Sequence, residues 1–217
     1  MTMAQDTADI AALCALLRQA SAAAAHEAME RAGHLSPSLS ALVPGVLCVG
    51  PAHTVRAPAG YGDEIVRAAD EAPPGSVIVI DVGPAPDACT WGGTGTAVAQ
   101  RRGVSGVVSN GRVRDLAEIR RARFPVFAHG AVATGWSSGR RGETGVPVSV
   151  GGRLVHAGDI LCADDDGIVV IPRAGAARFL ERLQARLDFE REAARIVDAG
   201  GRYADVMARK AAHTVPS

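Results

Sequence analysis

Lysine is almost missing from this chain. Of its 23 basic residues 22 are arginine, and the single lysine, Lys210, stands seven residues from the C-terminus. Schiff-base chemistry needs a lysine desolvated in a pocket to lower its pKa, and a polar tail does not provide that setting. Class I aldolase and pyridoxal-phosphate mechanisms therefore drop out of the leading readings. Cysteine is also sparse: Cys14, Cys48, Cys89 and Cys162 lie far apart with no C-x-x-C pair, which argues for reduced, buried thiols and against a disulfide frame or a zinc knuckle. No run approaches the roughly 20 apolar residues that span a bilayer. Asp6 and Asp9 precede the first apolar stretch, where a leader would be cationic. The expectation is a cytoplasmic protein with no membrane partner. A surplus of either charge is lacking too, with 23 basic and 23 acidic residues, so no global field favours nucleic acid and any function rests on charge at the scale of a site.

What is present is enough apolar material for a continuous core, 47% of 217 residues. The chain reads as one domain over 1–217. Residues 1–45 form an N-terminal helical segment, Ala-rich with leucines at helical spacing, interrupted near Ser21 and stopping at Gly33. From 46 onward strand-like and helical stretches alternate: "GVLCVGPAHTV", "DEIVRAADEA", "SVIVIDVG", "TGTAVAQRR", "VSGVVSN", "DLAEIRRAR" and "PVFAHG", an α/β order. After 145 short strands with Gly turns predict appended antiparallel hairpins. A long C-terminal helix is expected over 174–200, followed by a polar tail, 201–217, with at most partial order. His26 and His34 fall in the helical segment and read as ordinary surface or core residues.

Four stretches carry chemistry. "TWGGTGTAVAQRRG" puts Gly92, Gly93 and Gly95, with Thr94, where a loop enters a helix, so that free backbone amides meet an anion at the positive helix end. It matches neither G-x-G-x-x-G nor the P-loop, and a tight turn is the competing reading. "GVVSNGRVRD" ends in Arg114 and Asp115. Asp115 with Glu118 fits an acidic N-cap, but a cap leaves Arg114 unexplained, a planar fork suited to a carboxylate at a strand end where α/β proteins collect ligands. "CADDDGIVV" invites a metal reading, yet a D-D-G turn between strands is hairpin chemistry and no calcium-loop spacing is present. In the long helix Leu180, Leu183, Leu187, Ala194 and Val197 form one stripe that also carries Glu190, either a rim residue or a carboxylate delivered to a site, including a neighbouring subunit's.

Taken together, "VGPAHTV", "PPGSVIVID", "WGGTGTAVAQRRGVSGVVSNGRVRD", "FPVFAHG", "VPVSVGGRLVHAGDILCADDDGIVVIP" and the glutamate-bearing helix resemble the RraA-like family. That family includes class II 4-hydroxy-4-methyl-2-oxoglutarate aldolases and ribonuclease E inhibitor proteins. The resemblance implies a swivelling β/β/α sandwich, assembled as trimers or hexamers with the site between subunits. It implies that Arg114 binds the carboxylate and keto oxygen of pyruvate, that Asp115 ligates Mg²⁺ or Mn²⁺, that amides at Thr94 and Gly95 hold the pyruvate carboxylate, and that Glu190 of an adjacent subunit binds metal-coordinated water. Two positions depart from the aldolases' pattern: Gly93 stands where they usually carry Asp or Glu after W-G, and Asn110 stands where they usually read V-D-G.

The leading expectation is a divalent-metal-dependent lyase that cleaves a small 2-oxo acid by retro-aldol reaction or decarboxylation, through a pyruvate enolate and without a Schiff base. One alternative is a non-catalytic binding protein of the ribonuclease-regulator kind with an idle pocket. Another is a diverged lyase with a different substrate, its proton donor recruited from Asp87, Glu143 or the substrate itself.

Overall fold

The computed structural model describes the backbone of residues 3–213 and the side chains of 7–209. Helices α1 (Met3–Leu17) and α2 (Ala22–Ala28) open the chain, and the break between them is made by Ser21, whose Oγ accepts from Ala24 N at 3.0 Å as the cap of α2. Strands β1 (Ser40–Ala41) and β2 (Cys48–Arg56) follow, then α3 (Asp63–Glu71), β3 (Val77–Asp81), β4 (Cys89–Trp91), α4 (Gly93–Arg101), β5 (Gly106–Ser109), β6 (Arg112–Val113), α5 (Leu116–Ala122) and β7 (Val126–Ala128). The remainder is β8 (Glu143–Thr144), β9 (Val148–Val150), β10 (Arg153–Val155), β11 (Ile160–Asp164), β12 (Gly167–Ile171), α6 (Ala176–Asp198) and α7 (Tyr203–His213).

The main sheet runs β1-β7-β5-β3-β2-β11-β12, with β8 also on β2. Its centre, β7, β5, β3 and β2, is parallel, as strands linked by crossover helices must be. Strand β3, "VIVID", is buried along its whole length, the continuous apolar run of a strand covered on both faces. Ile78 and Ile80 pack with Ile65 and Ala69 of α3, Ala99 of α4 and Ile119 of α5. Val77 and Val79, pointing the other way, pack with Val148, Val150 and Val155 of the β9–β10 hairpin and with Leu161. The result is hairpin layer, sheet and helices, a β/β/α sandwich. A third cluster joins α1, α2 and α6 to Ile160 and Cys162 of β11 and Val169 and Ile171 of β12.

Two expectations change. The β11–β12 hairpin is not an appendage, because β11 pairs antiparallel with β2 from Ile160↔Pro51 to Ala163↔Cys48 and so extends the main sheet. The tail beyond Gly200 is not merely polar coil: α7 starts where Asp205 accepts from Arg202 N at 2.8 Å, and it packs on α6. Residues 214–217 lie outside the described residues, as does the side chain of Lys210. All four cysteines are free and buried. Burial pushes the Cys162 thiol up to about 12, with Asp164 adding to the effect, and raises Cys48 further. Among the described residues no helix is long and apolar enough to cross a membrane.

Candidate active site

Two short strands build the site. β4 and β6 form a separate parallel ribbon in the register Cys89↔Arg112 and Trp91↔Val113, and each ends directly before a helix. Arg114 N donates to Trp91 O at 2.9 Å, locking the two strand ends together. Gly92–Gly93, entering α4, is thereby set against Arg114–Asp115, entering α5. The approach is too close for side chains: a Cβ at residue 92 would stand 2.8 Å from Asp115 Oδ2 and 3.3 Å from Arg114 Cγ. Gly92 leaves room for the Arg–Asp pair, whereas a Cβ at residue 95 would meet the Trp91 ring at 3.3 Å.

Asp115 occupies the N-cap position of α5 with φ 56° and ψ 35°, a left-handed conformation that a residue with a Cβ rarely adopts. Its side chain makes no cap hydrogen bond to its own helix. Instead Oδ2 accepts from Gly93 N at 3.0 Å, so the carboxylate sits at the N-terminus of α4, while Oδ1 accepts nothing among the described residues. The capping reading of Asp115 therefore describes its place in the chain and not its carboxylate.

Arg114 Nε lies 3.6 Å from Asp115 Oδ2, and the guanidinium stands over the ring of Trp136, 5.5 Å from the centroid. No protein acceptor among the described residues takes a hydrogen bond from it, so its fork has open donors. Trp136 is held at the site by bonds of the residues that follow it: Gly62 N donates to Ser137 O at 3.1 Å, Ser137 N to Gly60 O at 2.8 Å, and Gly139 N to the Asp63 carboxylate, Oδ2, at 2.7 Å. Between these parts lies a cavity of about 110 Å³, lined by Trp91, Gly92, Thr94, Gly95, Arg114, Asp115 and Trp136, with α3 and Val98 of α4 as its wall. Thr94 and Gly95 are in the first turn of α4, where helix geometry gives their amides no carbonyl partner behind them.

The structure thus brings together Gly93, Thr94, Gly95, Arg114 and Asp115. It does not bring Glu190 to them within one chain. Glu190 accepts from Arg186 Nε at 3.0 Å on α6, whose Leu183 and Leu187 are buried against α1 and α2, whereas further along the same stripe Val197 is 57% exposed. Asp87 and Glu143 are engaged elsewhere, with Arg112 Nε at 2.7 Å and Arg56 Nη1 at 3.3 Å. Asn110 has a structural post: Oδ1 accepts from Val82 N at 2.9 Å and Nδ2 donates to Asp81 Oδ1 at 2.8 Å, next to Ser149 N, which donates to Asp81 Oδ2.

One residue escaped the sequence reading. Glu118 was assigned to the cap, but its carboxylate folds back onto Gly93: a Cβ at residue 93 would lie 2.1 Å from Glu118 Oε2 and 3.3 Å from Asp115 Cβ. An acid therefore stands where Gly93 offers none, delivered from the first turn of the next helix. The only signals for it were the missing side chain at Gly93 and the place of Glu118 three residues after Asp115.

Among the described residues no three or more His, Cys, Asp or Glu side chains cluster to hold a metal. The donor set at the cavity is the free Oδ1 of Asp115. That fits a hydrated hard cation of the Mg²⁺ type, which keeps several waters and binds through one or two carboxylates plus substrate oxygens, and it does not fit a closed protein cage.

With the geometry in place, comparison with known proteins is direct. The model of the RraA-like family, Aldolase/RraA, matches residues 19–170. A protein of Halalkalibacterium halodurans, named provisionally as a 4-hydroxy-4-methyl-2-oxoglutarate aldolase, is 31% identical over 163 residues, which are 74% of this chain and 76% of that protein. An uncharacterized protein from Pseudomonas syringae superposes with a TM-score of 0.79 at 26% identity, covering 91% of this chain and 93% of the other. Streptomyces coelicolor RraAS2, titled an unusual member of the RNase ES inhibitor RraA protein family, gives 0.71 at 28% identity over 82% of this chain and 94% of its own. The glycine-entered helix, the locked strand ends and the Arg114–Asp115 pair all lie inside the matched region, and the chain belongs to the RraA-like family.

Proposed function

We propose that the protein is a divalent-metal-dependent lyase acting on a small 2-oxo acid, by retro-aldol cleavage or decarboxylation through a pyruvate enolate. The observation that carries this reading is the open guanidinium of Arg114, fixed over Trp136 and facing the unpaired amides of Thr94 and Gly95 across one small cavity. A 2-oxo acid offers a carboxylate and an adjacent keto oxygen, and the two sets of donors match those two acceptors. The metal, Mg²⁺ or Mn²⁺ held on Asp115, would supply Lewis-acid polarisation of the keto oxygen. Arg114 stabilises the negative charge that develops on that oxygen as the bond to the departing group breaks. Glu118, beside Gly93, carries the proton between the substrate and water. A Glu190 from a second copy would complete the set in a trimer or hexamer, with the exposed far half of α6 as the surface that brings it there.

The test is pyruvate release from a panel of 2-oxo acids, including oxaloacetate and 4-hydroxy-4-methyl-2-oxoglutarate, with Mg²⁺ or Mn²⁺ and with chelator. Turnover that chelation removes is the expected result. A folded protein that binds pyruvate but turns over nothing would favour the second reading, a regulatory binding protein, for which the acid-free Gly93 and the likeness to RraAS2 speak. Light scattering that finds only monomer at micromolar concentration would remove Glu190 from the site.

A further inference from the structure

We infer that the site selects a 2-oxo acid whose far end is uncharged, a monocarboxylate open to the retro-aldol course, and discriminates against dicarboxylates of the kind named for the aldolase relatives. Decarboxylation of a dicarboxylate is then the poorer of the two proposed reactions. This rests on the reading of Arg114 and the α4 amides as the anchor for a pyruvoyl end. Once that end is fixed, the rest of the substrate meets the part of the cavity wall that this chain supplies, and that part is apolar: Ile65, Val66 and Ala69 from α3, Val98 from α4, and Trp136. Arg114 is the only cationic residue lining the cavity among the described residues. The nearest arginines along the same elements are committed elsewhere, Arg67 to Glu64 and Glu71, and Arg112 to Asp87 and His129 O.

Besides Arg114 and Asp115 the charged group lining the cavity among the described residues is Asp70, exposed on α3 one turn beyond Val66, with no ion pair among the described residues. A second carboxylate on the substrate would meet apolar side chains that offer it no hydrogen bond, and a like charge at the rim. A short alkyl or hydroxyalkyl tail meets a surface it can cover, and a terminal hydroxyl can donate to Asp70. Specificity here comes from a repulsive group as well as from a fitting one.

The experiment compares ligands of equal chain length. Calorimetric binding of 2-oxopentanoate and of 2-oxoglutarate, which differ only in the terminal carboxylate, is measured in Mg²⁺ on the wild-type protein and on Asp70→Asn, with pyruvate as the tail-free reference. We expect 2-oxopentanoate to bind at least about tenfold more tightly than 2-oxoglutarate, and Asp70→Asn to narrow the gap by tightening 2-oxoglutarate alone. Equal or tighter binding of 2-oxoglutarate to the wild type overturns the inference while leaving the pyruvoyl anchor intact, provided pyruvate binds. If pyruvate itself does not bind, the anchor and the proposed lyase function fall first. A gap that Asp70→Asn leaves unchanged removes Asp70 and leaves the apolar wall as the discriminator, which Val66→Arg then tests: that exposed position accepts the longer side chain, and it should recover 2-oxoglutarate binding if the wall is what excludes it.

Discussion

Two aspartate settings in this molecule differ in what their oxygens already hold, and the one richer in acid has less bonding capacity per carboxylate to spare. At the β11–β12 turn, Asp164, Asp165 and Asp166 stand in a row, and the oxygens of the first two are taken up by the backbone: Asp164 accepts from Ala22 N at 2.8 Å and Asp166 N at 2.9 Å, and Asp165 accepts from Gly45 N at 2.9 and 3.1 Å. They tie the N-terminal segment to the sheet. At the start of α5 a single aspartate, Asp115, keeps one oxygen without a hydrogen bond among the described residues, beside the Arg114 guanidinium and a cavity. Acid count does not make a site. What singles out Asp115 as a candidate is a carboxylate left with bonding capacity, in a backbone conformation that costs of the order of 1–3 kcal/mol to hold.

The largest expected effects follow from that contrast. Arg114→Lys and Asp115→Asn should each lower pyruvate release by about 10²–10⁴-fold. Lysine cannot reproduce the two-pronged fork, and asparagine tolerates the left-handed backbone while losing the charge. Thermal unfolding of both variants should stay close to wild type. Asp164→Asn should do the reverse, costing about 1 kcal/mol of stability with activity unchanged, since one amide nitrogen replaces an accepting oxygen. Activity lost at Asp164 without a change in stability would break the comparison.

A smaller effect is expected at Glu118. Glu118→Gln should slow turnover by up to about 10²-fold if its carboxylate carries the proton. Gly93→Asp in the wild-type background brings a Cβ to 2.1 Å from Glu118 Oε2, so the glutamate has to swing away. The gain from a new acid should then show clearly only when Gly93→Asp is combined with Glu118→Ala. Steady-state kinetics of the four proteins gives the coupling, and wild-type turnover in Glu118→Gln would take this residue out of the reaction.

Asn110 sharpens the contrast from the structural side. Asn110→Asp replaces a donor to Asp81 with a second carboxylate facing it, and urea unfolding should show a loss of about 1–3 kcal/mol. The smallest effect concerns His53 on β2. Burial lowers its pKa below the ordinary 6.5, outweighing the opposing influence of Glu71. The folded protein therefore keeps His53 neutral where the unfolded chain takes up a proton, so this contribution to stability is fully present above pH 6.5 and declines as pH falls below it. Urea titrations at pH 7.5 and 5.5 should show a decline that His53→Phe reduces.

How far the sequence could be read depended on element length. The alternation from residue 46 to 128 was legible because strands such as Val77–Asp81 and helices such as Asp63–Glu71 are long enough to show their period. β4 and β6, of three and two residues, show none, and they are the ribbon that sets Gly92 against Arg114. Arg114 and Asp115 could be singled out by type and by place at a strand end. The left-handed turn at Asp115 could not, because it follows a strand end whose Arg114 N is bonded to Trp91 O, 23 residues earlier, a pairing that no local pattern announces. Glu118 obeyed the capping pattern in spacing and departed from it in space, since the nearest opening for its carboxylate lies in another helix. The order of the tail was missed because Asp205 and a packing face on α6 outweigh a polar composition.

The chain contains two tryptophans, and both line the same cavity: Trp91, fully buried with its Nε1 donating to Thr96 Oγ1 at 2.9 Å, and Trp136, half-buried beneath the Arg114 guanidinium. The whole indole emission of the protein thus originates at its candidate active site. A carboxylate that draws Arg114 off the Trp136 ring changes the field on one fluorophore, and a ligand that fills the cavity changes the solvent contact of both. The protein carries an intrinsic optical reporter of occupancy, with no tryptophan elsewhere to dilute the signal.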